Sequence, residues 1–220
     1  MKFIFFDAVT DGEERVEDSH ICQLSYLITD NSLEVLTAKN FFFKVKEMTK
    51  ESAYEQEIIP FTYKRLSKGK VFKDYAKEIY EDFKDAEVFV AHDAWYVSSA
   101  LEMELSRVGI KERLFKPGSL ESTMRIFRNT IQYSDNATTY LTYEFASLDD
   151  IAWQLGLGTK YLDAKTKEHF GLIKLDGDIY GNRNSATYQV TQLHEVYSNY
   201  VFEYIKTRRP YTEYMVLKED

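Results

Sequence analysis

An apolar run near the start of the chain, Phe3-Ile4-Phe5-Phe6, stops at an acid, Asp7. A run with no polar face fits a strand buried in the middle of a sheet. A carboxylate ending such a strand is a common way for α/β enzymes to present a metal ligand at a sheet edge. The rest of the chain must then cover both faces of this strand and supply the groups that stand beside Asp7.

Ile21-Cys22-Gln23-Leu24-Ser25-Tyr26-Leu27-Ile28 reads as a second strand, closed by Asp30-Asn31-Ser32. Asn40-Phe41-Phe42-Phe43-Lys44-Val45 reads as a third, and the short spacings favour an antiparallel meander. From Asp74 to Phe83 the residues Tyr75, Ala76, Ile79, Tyr80 and Phe83 share one face of a helix. Ala86-Glu87-Val88-Phe89-Val90-Ala91 is a further buried strand. It leads into a helix with the stripe Val97, Ala100, Leu101, Leu105 and Val108, ended by Gly109. Leu120, Met124, Phe127 and Ile131 have helical spacing, and Tyr133 to Tyr143 is polar and loop-like. Ser147-Leu148-Asp149-Asp150 opens another helix in the manner of a capping box. Gly158 to Tyr188 is expected to be a link, with a hairpin from Phe170 to Gly181 around Asp176-Gly177. A last helix is expected from about Thr187 to Thr207.

Composition bounds the function. An apolar content of 44% in 220 residues supports one sizeable core, so the chain is expected to form a single domain over 1–220 with an insertion near 158–188. A net charge of −8 argues against a protein that coats nucleic acid through phosphate contacts alone. An acidic nuclease survives that argument, because metal ions neutralise charge at the site. One cysteine, Cys22, leaves no internal disulfide and fits a reducing cytoplasm, and no stretch is long and apolar enough for a membrane span. The aromatic content of 15% fits either an aromatic core or a platform for stacking bases.

Three segments resemble the signatures of the DnaQ-like (DEDDh) 3′–5′ exonucleases. Asp7-Ala8-Val9-Thr10-Asp11-Gly12 resembles Asp-x-Glu-Thr-(Thr)-Gly, with Val9 at the place of the second carboxylate. Ala91-His92-Asp93-Ala94-Trp95-Tyr96-Val97 resembles Ala-His-Asn-x-x-Phe-Asp, with Val97 at the place of the metal-binding acid. Ser147-Leu148-Asp149 through Leu155-Gly156-Leu157 resembles the helix that precedes the family's closing His-x4-Asp. Counted back from Val201-Phe202, that signature falls on Gln189 and His194. Ile59-Pro60-Phe61-Thr62 resembles the family's His-Gly-Ile-Thr segment and keeps its Thr, and Ser122 replaces a further Asp.

The resemblance implies a ribonuclease H-like α/β fold: a mixed five-stranded sheet with helices on both faces. It also implies a site of four carboxylates holding two divalent metals, magnesium or manganese, with a His as general base. Only Asp7 of that ligand set is kept, and valine offers no oxygen to a metal. The implied function is a degenerate exonuclease, a pseudoenzyme that binds a single-stranded nucleic-acid end or a protein partner and needs no cofactor. Thr10, Thr62, His92 and Asp93 are then the binding candidates. The alternative is an active metal-dependent 3′–5′ exonuclease, its ligands relocated to a set such as Asp7, Asp93 and His194. A histidine in that set favours a softer metal than magnesium. Each relocated residue also has a structural role available: Asp93 as a helix N-cap, His194 as a satisfied core histidine. The remaining motifs read as structure: Asp176-Gly177-Asp178 as a turn, and Lys206, Arg208 and Arg209 as a solvated helix end.

Overall fold

The computed structural model describes residues 1–11, 18–45, 66–127, 147–171 and 185–207, the last six of these by backbone alone. The apolar run extends into strand β1, Phe3–Thr10, which lies at the centre of a five-stranded sheet. Its neighbours are β2, Ile21–Thr29, on one side and β4, Val88–Ala91, on the other. The edges are β3, Val35–Phe42, and β5, Leu120–Ser122, giving the order β3-β2-β1-β4-β5. The first three strands pair antiparallel, as the meander reading expects, and β4 and β5 add in parallel.

Side chains alternate across β1 because the strand period is two. Ile4 and Phe6 enter a core with helix α1, Ala76–Phe83, and helix α2, Ala94–Arg107. Phe5 faces the other way, into a core with helix α4, Leu148–Gln154, helix α5, Thr159–Phe170, and helix α6, Ala186–Thr207. A short helix α3, Thr123–Ile126, follows β5. Helices thus cover both faces, and the architecture is the expected mixed α/β sheet.

Most of the described aromatic residues belong to the core. Phe6 meets Phe83 edge-on at 5.5 Å, and Phe89 meets Phe115 edge-on at 4.9 Å. Such ring pairs add about 0.5–1.5 kcal/mol beyond simple burial. The two tryptophans are the exception: Trp95 is 68% exposed and Trp153 is 80% exposed.

The helix ends follow their local chemistry. Asp93 caps α2, its side chain accepting the Tyr96 N–H at 3.2 Å. At the other end Gly109 takes φ +92°, a left-handed conformation that costs glycine little. The Gly109 N–H then donates to the Ser106 carbonyl, and the Ile110 N–H to the Leu105 carbonyl. Ser147 caps α4 by accepting the Asp150 N–H at 3.1 Å, as the capping-box reading expects.

Three expectations are corrected. The third strand runs from Val35 to Phe42 rather than from Asn40 to Val45. The tight Asp30–Glu34 turn folds the chain straight back onto β2, so pairing begins at Val35. Leu120 lies in strand β5, not in a helix. Residues 159–170 form helix α5 where a link was expected. Most of the expected Phe170–Gly181 hairpin, Ile131, and the whole Tyr133–Tyr143 loop lie outside the described residues.

Candidate functional site at the end of the central strand

Asp7 pairs with Ser25 near the C-terminal end of β1 and, by alternation, shares a sheet face with Phe5. Its side chain keeps part of its surface open to solvent, but protein surrounds the carboxyl closely. Burial pushes its pKa up from 3.8 to about 7; the Ala8 backbone N–H opposes this, and the negative charge of Asp93 adds to it. Asp7 and Asp93 therefore stand within electrostatic reach at one end of the sheet.

The neighbouring candidates are held in place by hydrogen bonds. Thr10 Oγ1 and Tyr96 Oη lie 2.8 Å apart, which ties the end of β1 to the first turn of α2. His92 follows β4, and its Nδ1 lies 2.9 Å from Thr123 Oγ1. The Ser122 hydroxyl donates to the His92 carbonyl at 2.7 Å and so braces the backbone after β4. Thr62 lies outside the described residues.

The two valines expected at ligand positions are packed as apolar residues. Val97 is 4% exposed and sits among Ala94, Ala100 and Leu101 in the core beneath α2. Val9 packs against Cys22, Val45 and Leu66. Neither position offers a donor atom. Among the described residues, no third acid, histidine or cysteine joins Asp7 and Asp93 in a ligand cluster. Two carboxylates, one of them capping a helix, do not fit a pair of divalent ions, which needs several oxygen ligands for each metal.

The last helix locates the remaining candidates. The Ala186 N–H donates to Gln23 Oε1 at 2.8 Å, and Gln23 is the pairing partner of Val9. Gln23 Nε2 and the Ser25 hydroxyl both donate to Asn40 Oδ1, so the start of α6 is fixed to β2 and β3 at the Asp7 end. Ser185, Ala186 and Thr187 therefore stand at this level, and none is acidic. His194 lies two turns further along. Its ring meets Phe5 edge-on at 5.0 Å, and its Nε2 donates to the Leu33 carbonyl at 2.9 Å. Phe5 lies two residues before Asp7 on the same sheet face, roughly 7 Å along the strand, and among the described residues no cluster of donor atoms joins His194 to Asp7. The structure does not bring His194 to Asp7, so the set Asp7, Asp93 and His194 is not assembled.

No family model matches the sequence, and a search of curated proteins finds no relative. Solved structures do match. An exonuclease I from Methylocaldum szegediense superposes with a TM-score of 0.65 at 13% identity, over 96% of this chain and 42% of that one. E. coli exonuclease I in complex with a dT13 oligonucleotide gives a TM-score of 0.61 at 14% identity, over 98% of this chain and 46% of that one. A zinc-bound form of the E. coli enzyme with single-stranded DNA gives 0.59 at 13% identity, over 96% and 42%. The chain spans less than half the length of these exonucleases. No described helix is long and apolar enough to cross a membrane. At this identity the likeness concerns the backbone: the chain has the ribonuclease H-like α/β fold found in exonuclease I.

Proposed function

We propose that this chain is an exonuclease-fold binding domain that no longer hydrolyses phosphodiesters with two metals. Its sheet-end cleft, between Asp7, Thr10, His92 and Asp93, takes a single-stranded nucleic-acid end. The observation that carries this reading is Val97. The position that would hold a metal-binding acid is an apolar side chain buried to 4% exposure, continuous with the core stripe of α2. An acid there would need to leave the core to reach an ion. The oligonucleotide complex of the structural neighbour supports nucleic acid as the ligand class. Trp95, exposed two residues after Asp93, offers a stacking face to a base. With a net charge of −8 the chain relies on stacking and short-range polar contacts more than on phosphate neutralisation.

A second reading has its own observation. Asp7 feels the negative charge of Asp93, and a carboxyl raised to about 7 by burial and a like charge is relieved by a bound cation. Under that reading the chain is an active metal-dependent 3′–5′ exonuclease with relocated ligands.

Incubating 5′-labelled single-stranded DNA and RNA with magnesium or manganese separates the two. The binding-domain reading expects a rise in anisotropy on mixing and no shortening in either metal. Metal-dependent shortening from the 3′ end that is lost in Asp7→Ala establishes the second reading and overturns the first.

A further inference from the structure

A second cluster of metal-binding side chains lies away from Asp7, where α5 and α6 meet the β2–β3 turn. His169 near the end of α5 and His194 and Glu195 on α6 each offer a donor atom, and these atoms lie within 4.8 Å of one another. They line a groove of about 810 Å³ that also includes the Asn31–Glu34 turn and the first half of β3.

The polar atoms of this cluster are incompletely partnered. His194 is buried, and its Nε2 is committed to the Leu33 carbonyl, an acceptor only, so that nitrogen carries the proton. Its Nδ1 faces Glu195 Oε1 at 3.5 Å and has no hydrogen-bond partner. A buried imidazole nitrogen without a partner, this close to a carboxylate oxygen, makes a pair of donors that one cation can bridge. His169 Nε2 is buried and unpartnered in the same cluster, its ring edge-on to His194 at 5.9 Å.

The surroundings match what metal ligands need. A carbonyl accepting the far N–H of a histidine fixes its tautomer and orientation. Leu33 presents that carbonyl from a left-handed conformation at φ 65°, unusual for a branched residue. Tyr161 donates to Glu195 Oε2 at 2.5 Å, which leaves Oε1 for another partner.

We propose that His169, His194 and Glu195 bind a transition-metal dication of the zinc class. Two imidazoles and one carboxylate suit zinc over magnesium, which prefers oxygen. Tetrahedral zinc with bonds near 2.0–2.1 Å places its donors about 3.3 Å apart. The Nδ1–Oε1 pair at 3.5 Å already meets that spacing, and the half-buried His169 closes the remainder by a side-chain adjustment. Three protein donors leave a fourth position for water or a small anion from the groove.

The test uses the chelator-treated full chain, with zinc followed by calorimetry and cobalt by visible absorption. Wild type, His169→Ala, Glu195→Gln and Asp7→Ala are compared, each checked for folding by circular dichroism. The site predicts zinc binding in the wild type with the intense cobalt bands of tetrahedral coordination. It predicts at least about tenfold weaker binding in His169→Ala and Glu195→Gln, and unchanged binding in Asp7→Ala. His169 is half-buried on an outer helix, so its removal keeps the fold testable. Absence of binding in the wild type overturns the proposal. So does binding that survives in His169→Ala, or binding lost only in Asp7→Ala, which assigns the metal to the sheet-end cleft instead.

Discussion

Glu104 Oε1 accepts from Arg107 Nη1 at 2.8 Å and lies 2.9 Å from His20 Nδ1. The acid is on the buried side of α2, its side chain only 7% exposed. Arg107 also donates to the Ser19 carbonyl, so the pair locks the end of α2 to the segment entering β2. Removing the guanidinium leaves a buried carboxylate with fewer donors. Arg107→Ala is expected to lose about 2–4 kcal/mol of stability. Urea denaturation measures it, and Glu104→Ala in the same chain should recover part of the loss.

The Thr10–Tyr96 bond gives a gentler prediction. Both groups are partly buried, and the bond ties the end of β1 to the first turn of α2 beside Asp93. Tyr96→Phe should cost roughly 0.5–1.5 kcal/mol, the ordinary net contribution of such a bond. A change in single-stranded DNA affinity larger than that stability loss would show that Tyr96 meets the ligand directly.

Asp7 predicts a pH dependence. Its folded-state pKa of about 7 lies above the ordinary value of 3.8, so the folded chain holds the proton more tightly. Ionising the group therefore works against the fold. The penalty is absent below 3.8, grows as pH rises toward 7, and is complete above it, reaching at most roughly 4 kcal/mol. Asp7→Asn should flatten this slope and gain stability at pH 8, with little change at pH 4. Denaturation midpoints at the two pH values decide it, and a large loss at pH 8 would contradict the account.

Restoring acids tests the placement of the two valines. Val97→Asp puts a carboxylate where the native side chain is 4% exposed, and without a counter-charge it should lose about 3 kcal/mol or more. Adding Val9→Glu supplies a second oxygen donor. If both positions face Asp7, manganese should raise the melting temperature of the double variant more than that of the wild type.

The sheet was readable because its signals are local and redundant. Phe3 to Phe6 has no polar face, Ala76, Ile79 and Phe83 repeat at helical spacing, and Gly109 stops a helix for steric reasons. Helix α5 was not readable on those terms. Of Thr159–Phe170 only Leu162 is buried, and the preceding Gly158 makes no side-chain cap, so neither stripe nor start is visible. The valines at 9 and 97 and the Asp93 cap were legible, since each depends on sequence neighbours. The partners of His194 were not. Leu33 is 161 residues away, and His169 sits on the helix the sequence concealed. Pairing across that distance follows from the depth at which α6 crosses the sheet, which Gln23 and Ala186 set.

Both indole rings of this chain lie in water when it is folded. Their emission will change little as the core opens, so intrinsic tryptophan fluorescence is a poor gauge of unfolding here. The same exposure makes it a good gauge of occupancy. Trp95 lies beside the Asp93 cap, and a base stacking on it quenches light that folding leaves alone. In a Trp153→Phe background, the chain carries its own optical reporter for the sheet-end cleft.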